Sequence, residues 1–169
     1  VAKAKSNGEG PRRSVLFIAF SGEEKGLLGS KAYADNPAIS FENTVANLNI
    51  DMIGRVDEEH TATPNYVYII GSNFLSTALH SINEAAAKNY TNIELDYKYN
   101  STTDPNRYYY RSDHYNFAKN NIPVIFYFNG THEDYHQPTD DVEKINFAVY
   151  EARCRLVFHT LWILANLDV

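Results

Sequence analysis

Cysteine is nearly absent: Cys154 is the only one in 169 residues, so no internal disulfide framework can staple the chain. It lies in a helical pattern, Glu-Ala-Arg-Cys-Arg-Leu, and reads as a packed thiol that reports no redox compartment. Basic charge is also short. Fifteen Lys and Arg face 21 Asp and Glu, and a net charge of −6 argues against a nucleic-acid partner. No apolar run approaches the ~20 residues of a membrane span, so no membrane partner is expected. No signal-peptide pattern opens the chain at Val1, and a leader already removed is compatible with that start. Repeats and low-complexity tracts are missing too. What remains, 44% hydrophobic and 21% charged, is ordinary globular composition. The length suits one domain that buries roughly two-thirds of its unfolded surface.

The richest stretch runs from Ser14 to Glu24. Its apolar part, Ser14–Phe20, predicts a strand covered on both faces. The Ser21-Gly22 turn then places Glu23 and Glu24 at the strand's C-terminal end, where open α/β sheets build their sites. Two adjacent carboxylates in a half-buried place call for a positive partner. A metal fits, with one Glu as ligand and its neighbour as proton carrier. The chain before this stretch reads as a helix tail and a polar loop. After it, helical spacing covers 26–34 and stops at Asn36-Pro37. Strands are expected at 45–50, ending on Asp51, and at 66–70, 93–99 and 122–128. Helices are expected at 75–88, at 114–119 and from 142 to 167, the last capped by Asp140 or Asp141. Strands alternating with helices predict one three-layer α/β/α domain with a mostly parallel central sheet. The tyrosine clusters at Tyr97, Tyr99 and Tyr108–Tyr110 suit a sheet face or a loop contact, or else a substrate pocket.

Glu23, Glu24, Asp51 and His136 all fall at strand ends or in the loops beyond them. Parallel connectivity brings such ends to one rim of the sheet. Carboxylate oxygens with one imidazole suit zinc or a similar divalent ion. Each residue alone has a plain reading, as a solvated turn, a cap or an exposed loop histidine. Their joint placement favours the metal.

Four spaced motifs occur in one order: Phe-Ser-Gly-Glu-Glu-x-Gly-Leu-Leu-Gly-Ser (20–30), Asn-Ile-Asp-Met-Ile-Gly-Arg (49–55), Arg-Ser-Asp-His-x-x-Phe (111–117) and Tyr-His-x-Pro-x-Asp (135–140). From about Arg12 to the C-terminus, this set resembles the zinc aminopeptidases with two co-catalytic metals, the group that includes bacterial leucine-type enzymes. The resemblance implies a zinc-exopeptidase-like fold and a peptide substrate with a free N-terminus. It implies Glu23 as general base and Glu24 with His136 as ligands of one zinc. Asp51 becomes a ligand of the other zinc, and Tyr135 a hydrogen-bond donor to the tetrahedral oxyanion. Asp113 and His114 become supporting or substrate-facing residues. A secreted or periplasmic location is implied by the resemblance alone.

One family element is missing: a His-x-Asp segment on an earlier strand, which supplies the bridging carboxylate. Nothing before residue 14 matches it, and His132-Glu133-Asp134 has the letters in a different loop. Residues 1–169 are therefore expected to be a single catalytic domain truncated at its N-terminus. Alone, it is expected to bind zinc weakly and turn over little substrate. Absent N-terminal strands would also leave sheet edges uncovered, so a homo-oligomer through those edges is expected. Two other readings stay open: a glutaminyl cyclase-like zinc enzyme, and a non-catalytic binding domain on the same fold.

Overall fold

The computed structural model describes residues 1–168. Two apolar runs of five residues, β2 (Tyr66–Ile70) and β4 (Val124–Phe128), are buried at every position. That is the pattern of strands covered on both faces. They are flanked by β1 (Asn47–Ile50) and β3 (Glu94–Asp96), in the order β1-β4-β2-β3. β1 runs parallel to β4 and β3 parallel to β2, while β2 and β4 are antiparallel. The sheet is mixed and mostly parallel.

Alternation along the strands sorts their side chains into two cores. Val67, Ile69, Ile125 and Tyr127 face α3 (Thr77–Tyr90) and α5 (Phe147–Asn166), packing with Leu79, Ala86, Leu156 and Val157. A buried polar bond ties these layers: the Tyr127 hydroxyl donates to Asn83 Oδ1 at 2.7 Å. The opposite face is aromatic. Tyr66, Tyr68, Phe126 and Phe128 pack with Tyr108, Tyr109 and Phe117. Over that face lie α2 (Leu28–Asp35) and α4 (Tyr115–Ala118), and Phe20 joins them by packing on Tyr33 and Phe117. A short α1 (Ala2–Ser6) opens the chain.

Three expected elements come out differently. The strand expected at 93–99 is confined to Glu94–Asp96. Ser14–Phe20 forms no regular element and pairs with no strand among the described residues, and Leu16, Phe17 and Ile18 are 55%, 75% and 39% exposed. Its ends are anchored instead. Arg13 donates to Leu164 and Leu167 carbonyls at the end of α5, and Gly29 N–H donates to Ser21 O at 2.8 Å. The C-terminal helix begins later than its charge pattern suggests. Val142–Lys144 forms a separate 3-10 turn after Asp141, and Asn146 caps α5 by accepting from Val149 N–H.

Candidate active site

The turn after the unpaired segment is shaped by two glycines. Gly22 sits at φ +69°, in the left-handed region, and a Cβ on Gly29 would lie 2.5 Å from Ser21 O. This close packing folds Glu23–Lys25 into a 3-10 turn with Glu23 half-buried and Glu24 exposed. Asp51 follows β1 directly and is itself followed by Met52 at φ +58°. His136, in the loop after β4, also sits at φ +58°. Strain of this kind, about 1–2 kcal/mol for a non-glycine residue, collects at functional sites.

These elements surround one cavity of about 630 Å³, lined by Glu23, Glu24, Asp51, Arg111, Tyr135 and His136 among others. Glu24 Oε2 and His136 Nε2 are 3.1 Å apart, although they come from opposite ends of the chain. The rings of Tyr135 and His136 stack at 3.8 Å. Asp51 is fixed from behind: Ser112 Oγ donates to its Oδ2 at 2.6 Å, and Asn49 Nδ2 donates to Ser112 Oγ at 2.9 Å. Neither Ser112 nor Asn49 was singled out by the sequence. Both lie inside the quoted motifs, and that position was their only signal. Arg111 donates to the Tyr135 hydroxyl at 3.1 Å.

The cavity wall is crowded with negative charge. Burial, and then the carboxylates of Asp51, Glu24 and Asp113, push the Glu23 carboxyl up to about 7, with only His136 acting the other way. Asp113 is buried, and its Oδ1 has no hydrogen-bond partner among the described residues. Burial likewise raises its carboxyl, Ser30 opposing by a hydrogen bond and Asp51 adding to the rise. A divalent cation suits this wall, because the donors are carboxylate oxygens and an imidazole. Among the described residues, no three of Glu23, Glu24, Asp51 and His136 bring ligand atoms within 4.8 Å of one another. Glu24 and His136 form one donor pair, and Asp51 stands apart from it.

His132, Asp134 and Asp140 do meet that spacing. Here, however, positive partners are already in place. Arg55 donates to Asp134 at 2.8 Å and to Asp140 at 3.0 Å, while Lys144 and Thr139 also bond Asp134. The cluster works as a brace that ties the segment after β1 to the loop carrying Tyr135 and His136.

His114 lies behind the site rather than in it. It is fully buried, stacks on Phe126 and donates from Nε2 to Tyr109 O at 2.7 Å, leaving Nδ1 without a partner among the described residues. Burial pushes its imidazole down to about 3. The unfolded chain takes up that proton near pH 6.5, whereas the native state does not. Stability is therefore fully present above about pH 6.5 and falls by about 1.4 kcal/mol per pH unit below it. Urea titrations at pH 7 and pH 5 should differ by about 2 kcal/mol from this group, and His114→Asn should flatten the difference. An unchanged pH dependence in that variant would rule the effect out.

Residues 1–161 match the model of peptidase family M28. The chain is 27% identical over 92% of its length to a probable zinc metalloprotease of Phaeosphaeria nodorum. It is 28% identical over 87% of its length to aminopeptidase Y of Saccharomyces cerevisiae. It spans 38% and 28% of those two proteins. Its structure superposes on BSAP, a zinc aminopeptidase from Bacillus subtilis, with a TM-score of 0.71 at 23% identity, covering 90% of this chain and 36% of that one. An aminopeptidase from Aneurinibacillus sp. strain AM-1 gives 0.66 at 21% identity, covering 88% and 33%. At such identities the structural likeness speaks for the fold alone. None of these relatives favours a cyclase.

Proposed function

The chain belongs to peptidase family M28, and on that premise we propose that it carries active-site residues of a zinc-dependent aminopeptidase. The observation that carries the reading is the direct contact of Glu24 with His136 in a cavity shared with Asp51 and Glu23. Glu24 and His136 would hold one zinc ion and Asp51 would contribute to a second, the count of two resting on the family resemblance. Bound there, zinc would polarise the scissile carbonyl and bring the pKa of a water to roughly 7. Glu23 accepts the proton of the attacking water at its carboxylate and returns it to the leaving amine nitrogen. Tyr135 donates its hydroxyl proton in a hydrogen bond to the carbonyl oxygen as negative charge gathers there. The acidic wall attracts the substrate's α-ammonium, which favours cleavage next to a free N-terminus.

The full-length polypeptide should release leucine from leucine p-nitroanilide and from Leu-Gly-Gly, lose that activity to a chelator and regain it with zinc. Chelator-insensitive hydrolysis, or cleavage at interior bonds only, would reject the reading. Expressed alone, the 169 residues offer Glu24 and His136 to one ion and Asp51 to the other. They should retain zinc poorly and turn over little, so two zinc equivalents with ordinary turnover would count against this ligand assignment.

A homo-oligomer is the proposed state of the isolated chain. The support is the unpaired Ser14–Phe20 segment, with three exposed apolar side chains, and the edge position of β1. A monodisperse monomer by light scattering would overturn it. Location outside the cytoplasm is supported by the resemblance alone, and fractionation of cells and medium decides it.

A further inference from the structure

The cavity carries charge of both signs. Glu23, Glu24 and Asp51 supply the negative charge. Two arginines line the same cavity, Arg55 and Arg111. Arg55 is spent on Asp134 and Asp140. Arg111 has no carboxylate within 4.0 Å among the described residues, although it lies in an acidic chain. Its guanidinium is held in place all the same. It lies 5.0 Å over the ring of buried Tyr108, and one N–H donates to the Tyr135 hydroxyl. Among the described residues, four of its five N–H donors have no partner, in a planar fork that matches a carboxylate.

Resting on the aminopeptidase reading, we propose that Arg111 is a specificity-determining residue that binds the free C-terminal carboxylate of very short substrates, so that this site prefers dipeptides. The spacing supports it. A scissile carbonyl oxygen hydrogen-bonded to Tyr135 lies within about 6 Å of the Arg111 fork, because two hydrogen bonds of about 3 Å link them. In a dipeptide the carboxylate carbon follows the scissile carbon by three bonds, a reach of about 4 Å. A tripeptide places its carboxylate roughly 3.5 Å further along the chain and must fold back to meet the same fork. A dipeptide zwitterion therefore offers its ammonium to the glutamates and its carboxylate to Arg111.

Arg111 is exposed, so screening limits the gain and makes it depend on salt. In the zinc-loaded full-length polypeptide at low ionic strength, kcat/KM for Leu-Leu should exceed that for Leu-Leu-amide by about tenfold, the low end for a charge-assisted hydrogen bond. The preference should shrink in 0.5 M NaCl. Arg111→Gln should bring the acid-to-amide ratio close to one, and Arg111→Glu should invert it. The ratio is the decisive quantity, because loss of the Tyr135 contact slows both substrates alike. Calorimetry provides a second readout: a reduced-bond analogue, Leu-ψ[CH2NH]-Leu, should bind more tightly than its amide in the wild type and equally in Arg111→Gln. Equal kcat/KM for acid and amide, or equal binding of the two analogues, overturns the proposal. Absence of any peptide hydrolysis would defeat the aminopeptidase reading instead, and the calorimetric comparison would still decide the role of Arg111.

Discussion

Glu23→Gln in the full-length polypeptide is expected to lower kcat for N-terminal hydrolysis about a thousandfold, within the range for loss of a general base, with KM and bound zinc unchanged. The variant keeps the size of the side chain and removes its ability to take a proton. Position favours Glu23 over its neighbour for this task. Glu24 is committed to His136 at 3.1 Å, whereas Glu23 makes no side-chain hydrogen bond among the described residues and faces the cavity half-buried. Its carboxyl is already pushed toward proton binding by burial and by Asp51, Glu24 and Asp113. Glu24→Gln supplies the contrast, since it should lose metal as well as rate. If Glu23→Gln retains a tenth or more of wild-type kcat, the proton is carried by another group. If it loses zinc instead, Glu23 is a ligand and the roles of the two residues are exchanged.

The sequence makes the centre of the sheet legible because its signal there is unambiguous. Tyr66–Ile70 is the strand the sequence predicts, residue for residue, since five consecutive apolar side chains bounded by turn residues fit little else. Ser14–Phe20 carries the same signal and forms no ladder. An apolar run reports a capacity for burial on both faces; it cannot report whether partners are present. The start of α5 was obscured for another reason. Asp141, Glu143 and Asn146 all suit a first turn, and only the three-dimensional path shows that Asn146 takes the capping hydrogen bond while Asp141 leads a separate turn.

The site divides in the same way. Glu24 and His136 are readable as strand-end and loop residues with metal-ligand chemistry, and the structure brings them into contact. The residues that hold the site in place were not readable. Ser112, Asn49, Arg55 and Arg111 act through hydrogen bonds to residues distant in sequence, and their side chains are common in solvent-facing loops. His114 shows the converse. It stands in a motif next to Asp113 and looks like a functional histidine, yet it is packed wholly behind Phe126 and Tyr109. Residue type and spacing identify chemistry; depth in the fold is a separate property.

Arg153→Met is expected to destabilise the full-length polypeptide's M28 region by about 4 kcal/mol, from several carbonyls left without donors. Arg153 lies on α5, is 1% exposed and meets no carboxylate among the described residues. Its guanidinium serves the backbone instead. It donates to Tyr66 O at 3.0 Å, Ile53 O at 2.7 Å, Arg55 O at 2.6 Å and Pro64 O at 3.1 Å, and lies 5.2 Å over the Tyr66 ring. Burial lowers it to about 10, against the pull of Tyr66 and Asp57, so it stays charged at neutral pH. Methionine retains much of the apolar stem but none of the donors, so the loss reports the hydrogen bonds more than a cavity. For a region of this size the shift in Tm should be about 10 °C. Arg153→Lys keeps the charge without the planar fork and should recover only part of the loss. A Tm within about 2 °C of wild type for Arg153→Met would mean that water or local rearrangement satisfies those carbonyls. The effect should extend to the active site, because the Ile53 and Arg55 carbonyls belong to the segment that leaves Asp51. Slackening it would loosen the Arg55 brace on Asp134 and Asp140, and with it the loop that holds Tyr135 and His136.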